Sequence, residues 1–279
     1  MGLLGSIESL VPALAPVAGV WLLTQFGWRS SFDLLAVLSL ALAAAILLLR
    51  SALPHVEPAP RSGGYGRLLR DPIFQRYALS QALSLGALLV FVFGAPAVMV
   101  GPMGGSLTDF VIMQIIGITF FIVGANFASR LTSRFGAERT ILGGTLLSAA
   151  GLLAMLAYAL VGGASPLAVA ALSVPINLGF GFRGPPGFMR AIIAARGDDA
   201  RGSALVILFI LLTAAGGTAL AAPFISTGLV ALAAIAAAIS CAACAFLLLM
   251  PRLKEAQAGS SSAGTVASIQ PPPSTRSPS

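Results

Sequence analysis

Few side chains in this sequence could do chemistry, and most of them sit inside long apolar runs. Arg183 lies about 16 residues, or ~24 Å of helix, into the run that begins at Leu167. Two placements are open for it. If the helix ends nearby, the guanidinium snorkels to a membrane interface. If the helix continues through Pro185-Pro186 to Ala194, Arg183 lies well inside a bilayer. That placement costs about 2.5–3.5 kcal/mol unless the charge faces a wet cavity. Arg190, seven residues further along the same face, reads as a cytoplasmic anchor. Gln81, Gln114 and Asn177 are neutral amides within other apolar runs. They can hydrogen-bond between helices or line a substrate cavity. Glu8 is the one acid well inside a run, and a proton-carrying role there needs a pKa raised by burial. Asp33 and Asp109 lie near the ends of their runs, where a carboxylate stays hydrated.

Other patterns fail on context. Gly179-x-Gly181-x-x-Gly184 spells a dinucleotide fingerprint, but it follows a long apolar helix instead of a strand, and Pro185-Pro186 comes at once. Close helix packing explains it better. Cys241-x-x-Cys244 offers two thiols on one helical turn where a zinc site needs about four ligands. The single histidine, His55, lies in a Pro-rich connection beside Glu57, so membrane proteases that need an intramembrane His are excluded. No nucleophile elbow and no metal or cofactor motif is present, and enzyme chemistry has no support.

The elements that hold these residues follow from composition. Of 279 residues, 57% are hydrophobic and 9% charged, and the mean hydropathy is +0.96. A soluble domain carries about 25% charged residues, so this chain cannot cover a water-facing surface. Two cysteines exclude a disulfide scaffold. The chain is expected to be an all-α polytopic membrane protein. Eight runs are long enough, since a bilayer core needs about 20 apolar residues: 3–25, 31–49, 77–100, 110–128, 140–161, 167–194, 203–224 and 229–250. None alternates as a barrel strand would.

The net charge of +7 asks about sidedness before it suggests nucleic acid, and no nucleic-acid partner is expected. Arg50, Arg61, Arg67, Arg70, Arg76, Arg130, Arg134, Arg139, Arg196, Arg201, Arg252 and Lys254 fall in alternate connections and the C-terminal flank. The connections around Met103, Gly163 and Ser226 have no Lys or Arg, and Arg29 alone lies on that side. The positive-inside rule then places both termini in the cytoplasm. Residues 257–279, rich in Ser, Pro and Gly, are expected to be disordered. The N-terminus lacks the basic region of a signal peptide, and apolar residues begin at Leu3 with no flank before them, as in a chain entered midway.

Short motifs add a family resemblance. Pro12, Pro16 and Gly19 make a bent, closely packing first span. Ala15-Pro16-Val17-Ala18-Gly19, with Phe26-Gly27-Trp28-Arg29 and Phe32, resembles the fifth span and outer turn of drug:proton antiporters of the major facilitator superfamily. Tyr65-x-x-Leu68-Leu69-x-Asp71-Pro72-x-Phe74-x-x-Tyr77 and Gly94-Ala95-Pro96 are similar to the central loop and seventh span of the bicyclomycin-resistance branch. Arg134-x-Gly136-x-x-Arg139 is similar to the second, degenerate copy of the superfamily's cytoplasmic loop motif. Arg201-Gly202-Ser203-Ala204 resembles the entry to the eleventh span. Ser133 stands where that loop motif usually has Asp, and Ala137-Glu138 replaces a basic pair.

The resemblance implies four units: two spans of an N-terminal half (1–50), a cytoplasmic central loop (51–74), a complete C-terminal six-helix bundle (75–250) and a tail (251–279). By this alignment the family's first four spans are missing. It further implies a proton-coupled exporter of small amphipathic substrates in a bacterial inner membrane, with Arg183, Gln114, Asn177 and Gln81 on the inward face of the bundle. Superfamily substrates bind at the midplane between two halves. The alternatives are a truncated or mis-started chain with no transport of its own, a homodimer that makes up the missing half, or a membrane scaffold pairing with another chain.

Overall fold

The computed structural model describes residues 19, 21–49 and 64–253, and every regular element among them is helical. The helices are α1 (Arg29–Leu49), α2 (Gly64–Arg70), α3 (Pro72–Val100), α4 (Leu107–Phe135), α5 (Ala137–Leu160), α6 (Pro166–Ala194), α7 (Asp199–Ala221) and α8 (Leu229–Leu249). A 3-10 segment, Ala222–Thr227, joins the last two. Among the described residues seven helices, α1 and α3 to α8, are long and apolar enough to cross a membrane. The expected first span, 3–25, lies mostly outside the described residues, although residues 21–26 are helical. Residues 254–279, most of the expected tail, also lie outside them.

Local chemistry sets the helix ends. Asp71 accepts a 2.9 Å hydrogen bond from the Ile73 N–H and Pro72 follows at the first turn, so α3 starts ahead of the apolar run at 77. Ser106 and Asp109 form a reciprocal capping box at the start of α4. Gly136 alone separates α4 from α5, with φ of +83°, which only glycine adopts without strain. The unexpected element is α2, within the stretch read as a loop. Its Leu68 is buried, and its Arg67 donates a 2.6 Å hydrogen bond to the Ala195 carbonyl.

Six helices, α3 to α8, form one bundle. α6 packs between α4 and α5 and touches α3, while α3 packs on α7 and α8 and α5 packs on α8. In lipid, apolar surface gives no net drive for helix association, so close approach through small residues matters most. A Cβ at Gly179 would lie 2.6 Å from the Gly144 carbonyl oxygen on α5. A Cβ at Gly181 would lie 2.5 Å from the Phe121 carbonyl oxygen on α4. The Gly179-x-Gly181 pattern is thus a two-sided packing seam. Large apolar side chains such as Leu146, Leu153, Leu208 and Leu211 face outward, as a lipid-facing surface requires.

Ion pairs and hydrogen bonds bring the arginine-rich helix ends to one side of the bundle. Arg76 near the start of α3 pairs with Glu138 at the start of α5 and donates to the Met250 carbonyl after α8. Arg67 and Arg201 both reach Asp198, between α6 and α7, at 3.0 and 2.8 Å. The connections at the opposite ends, 101–106, 161–165 and 222–228, carry no Lys or Arg.

Candidate functional site

α6 does not stop at Pro185-Pro186. It runs to Ala194 with Pro175, Pro185 and Pro186 inside it, which follows the longer of the two expected courses. The backbone positions that proline leaves unbonded are tolerated because α3, α4 and α5 enclose this helix. Arg183 is 0% exposed, so it neither snorkels to an interface nor opens to the surface. Its Nη1 donates to the Ser80 carbonyl at 2.8 Å, and its Nη2 reaches Ser80 Oγ at 3.3 Å. A Cβ at Gly144 on α5 would sit 2.9 Å from Arg183 Cβ. No carboxylate pairs with Arg183 among the described residues.

Gln81 sits beside it. A Cβ on Gly187 would lie 2.7 Å from Gln81 Oε1 and 2.9 Å from Arg183 Nη2, so the glycine leaves room for both. Gln81 Oε1, Ser84 Oγ, Arg183 Nε and Ser240 Oγ are buried with no hydrogen-bond partner. The bundle interior therefore holds a guanidinium with no acidic partner among the described residues, and burying it is costly.

Asn177 and Gln114 are elsewhere. The Asn177 Nδ2 donates to the Ser173 carbonyl at 2.9 Å and lies 2.7 Å from where a Gly117 Cβ on α4 would be. Gln114 is one turn before Gly117, and both amides are half-buried. The four candidate residues thus fall in two places: Arg183 and Gln81 share the space beside Gly187, and Asn177 abuts Gly117, one turn from Gln114. α6 presents Arg183 toward α3 and α5, and Asn177 toward α4. The acids within α3 to α8, Asp109, Glu138 and Asp199, all lie at helix ends. No proton-exchanging acid sits inside the bundle among the described residues.

The loop motif has a legible structure. Gly136 makes the α4–α5 turn, Arg134 is exposed with its guanidinium 5.4 Å from the Phe135 ring, and Arg139 is exposed on the first turn of α5. Glu138 accepts from Arg76 at 2.9 Å and from the Tyr77 hydroxyl. The Tyr77 hydroxyl in turn accepts from the Leu253 N–H at 3.1 Å. Sequence reasoning missed this latch, and it missed Ser80 as the anchor of Arg183. Tyr77 and Glu138 lie 61 residues apart, and nothing local indicates that they meet. Burial pushes the Asp198 carboxyl up, but hydrogen bonds and charge from Arg67 and Arg201 outweigh it and hold the group below its ordinary value.

Pro12 and Pro16 lie outside the described residues, as does Glu8. Gly19 is helical, and a Cβ there would meet no described atom within 4 Å.

Comparison with known proteins extends this picture. Residues 1–218 match the family model of the Major Facilitator Superfamily. The chain is 29% identical over 117 residues to "Multidrug resistance protein MdtL" of Salmonella typhimurium, covering 40% of this chain and 29% of that protein. It is 29% identical over 160 residues to "Chloramphenicol resistance protein" of Pseudomonas aeruginosa, covering 55% of this chain and 38% of that protein. A third relative, MdtL of Escherichia fergusonii, is 30% identical over 109 residues, 37% of this chain and 27% of that protein. The chain thus spans about a third of the length of the curated relatives it matches. With a match over most of its length and an all-helical membrane bundle, the chain belongs to the Major Facilitator Superfamily, whose members are membrane transporters and not enzymes.

Proposed function

We propose that this chain works in proton-driven export of small amphipathic compounds, as a member of the bicyclomycin-resistance branch in a bacterial inner membrane. The observation that carries the reading is Arg183, a guanidinium buried in a six-helix bundle with no carboxylate partner among the described residues. A structural ion pair does not explain such a charge, and its desolvation cost argues for a retained role. The names of the relatives, which concern multidrug and chloramphenicol resistance, favour export.

Alternating access needs a second bundle facing this one, with substrate held between the two. In this reading Gln114 and Asn177, the half-buried pair between α4 and α6, contact substrate. Arg183 and Gln81 sit behind them and polarise the interior. The proton is carried by an acid outside α3 to α8, since this bundle offers none inside. The arginine-rich helix ends and both termini lie in the cytoplasm, as the positive-inside rule requires. The facing bundle comes from further sequence or from a second copy.

The test is dye efflux from cells that lack their own drug exporters and express the full chain with Gln114→Ala and Arg183→Met combined. The reading expects wild-type chain to lower dye retention and the double variant to behave like an empty vector. Unchanged efflux of every exported compound by the double variant, at equal membrane abundance, would overturn the site assignment.

A further inference from the structure

We propose that the arginine-rich end of the bundle carries a built site for one anionic phospholipid, with its headgroup phosphate between Arg139 and Arg252 and an acyl chain along α5. Two concavities meet there. One, of about 250 Å³, is lined by Arg76, Glu138, Arg139, Leu142 and Arg252. The other, of about 340 Å³, is an open apolar groove between α4, α5 and α6, lined by Leu131, Phe135, Gly143, Leu147 and Phe182, with Arg139 at its rim.

Helix geometry explains why Arg139 belongs to both. At about 100° per residue, Glu138 and Leu142 fall on one side of Arg139, and Gly143 and Leu147 fall on the other. The side chain stands on the ridge between a polar and an apolar hollow. From Arg139 to Leu147 the helix rises ~12 Å, close to the depth of one leaflet's hydrocarbon.

The charges favour an anion. Glu138 is already engaged by Arg76 and Tyr77. Arg139 and Arg252 make no ion pair among the described residues. Arg76 is 3% exposed, and its Nε has no hydrogen-bond partner. A net positive pocket at the membrane border suits a phosphate, which arginine binds by charge-assisted hydrogen bonds. Basic hollows between spanning helices on the cytoplasmic side are where anionic headgroups dock. The adjoining groove selects a lipid over free phosphate, because only the lipid brings a chain to fill it.

Gly143 makes the two halves separable. A Cβ there meets nothing within 4 Å, unlike one at Gly144, which would lie 2.5 Å from the Gly179 carbonyl oxygen. Gly143→Leu therefore fills the groove from α5 without disturbing the packing behind it.

The experiment measures binding to the purified full chain in detergent by native mass spectrometry and thermal shift. The probes are dioleoylphosphatidylglycerol, dioleoylphosphatidylcholine and inorganic phosphate. Phosphatidylglycerol is expected to bind at least about tenfold more tightly than phosphatidylcholine, and phosphate to give no comparable shift. Arg139→Ala/Arg252→Ala is expected to remove that preference. Gly143→Leu, with both arginines intact, is expected to weaken phosphatidylglycerol by about tenfold as well. Arg134→Ala, outside both hollows, should bind as wild type does. Equal binding of the two lipids, a phosphate shift matching that of the lipid, or undiminished phosphatidylglycerol binding by Gly143→Leu would each overturn the proposal. Because Gly143→Leu leaves every charge in place, it decides the matter even if the double arginine variant does not fold.

Discussion

Arg76 Nη2 lies 2.9 Å from Glu138 Oε2, joining the start of α3 to the first turn of α5. The pair gives the acid at the start of α5 a buried cationic partner on α3. Arg76 is 3% exposed and Glu138 21%, so removing the acid strands a buried cation. Glu138→Ala should therefore cost about 3 kcal/mol and lower the thermal midpoint of the purified protein. Arg76→Met combined with Glu138→Leu should recover most of that loss. A double variant as unstable as the sum of the singles would show that the two residues act independently.

The glycines of α5 should separate sharply. Gly144→Ala forces a methyl against the α6 backbone and should cost about 1–3 kcal/mol. Gly143→Ala meets open space and should be neutral or gain up to about 1 kcal/mol from helix propensity. Thermal midpoints of the two variants, measured side by side, check the order.

Asp198 makes part of the stability depend on pH. Its carboxyl is held below the ordinary value of about 4 by Arg67 and Arg201. A depressed native pKa contributes stability above the unfolded value, and this is lost as pH falls through the native one. Asp198→Asn should therefore melt earlier than wild type at about pH 6, and the gap should close as the pH drops well below about 4. Thermal scans across that window test the sign.

Arg183→Met should separate stability from function. Arg183 has no carboxylate partner among the described residues, so replacing it by an apolar side chain of similar length removes a desolvation cost and strands no opposite charge. The variant should keep or raise its thermal midpoint and lose most transport. A stability loss with transport retained would make Arg183 a structural residue.

Hydropathy was enough to place seven of the eight expected spans, because a bilayer demands length and apolarity and little else; the first, 3–25, lies mostly outside the described residues. It could not place α2. Gly64-Tyr65-Gly66 has poor helix propensity, and the helix forms because Leu68 is buried and Arg67 reaches Ala195 and Asp198. The neighbour that each face meets was equally hidden. Six residues set Asn177 and Arg183 about 120° apart around α6, so spacing separates their faces, but it does not record that Asn177 meets α4 while Arg183 meets α3 and α5. Its proline pair left two courses open, and only tertiary enclosure decides between them. The Arg76–Glu138 latch joins residues far apart in sequence, and no local pattern records such a pairing.

Proton-driven uptake into everted membrane vesicles containing the full chain tests the central claim most directly. An acid-inside gradient is imposed, and a fluorescent amphipathic compound is followed. The account predicts accumulation that a protonophore abolishes and that Gln114→Ala/Arg183→Met lacks. A signal indistinguishable from that of vesicles without the chain, gradient present, would contradict it.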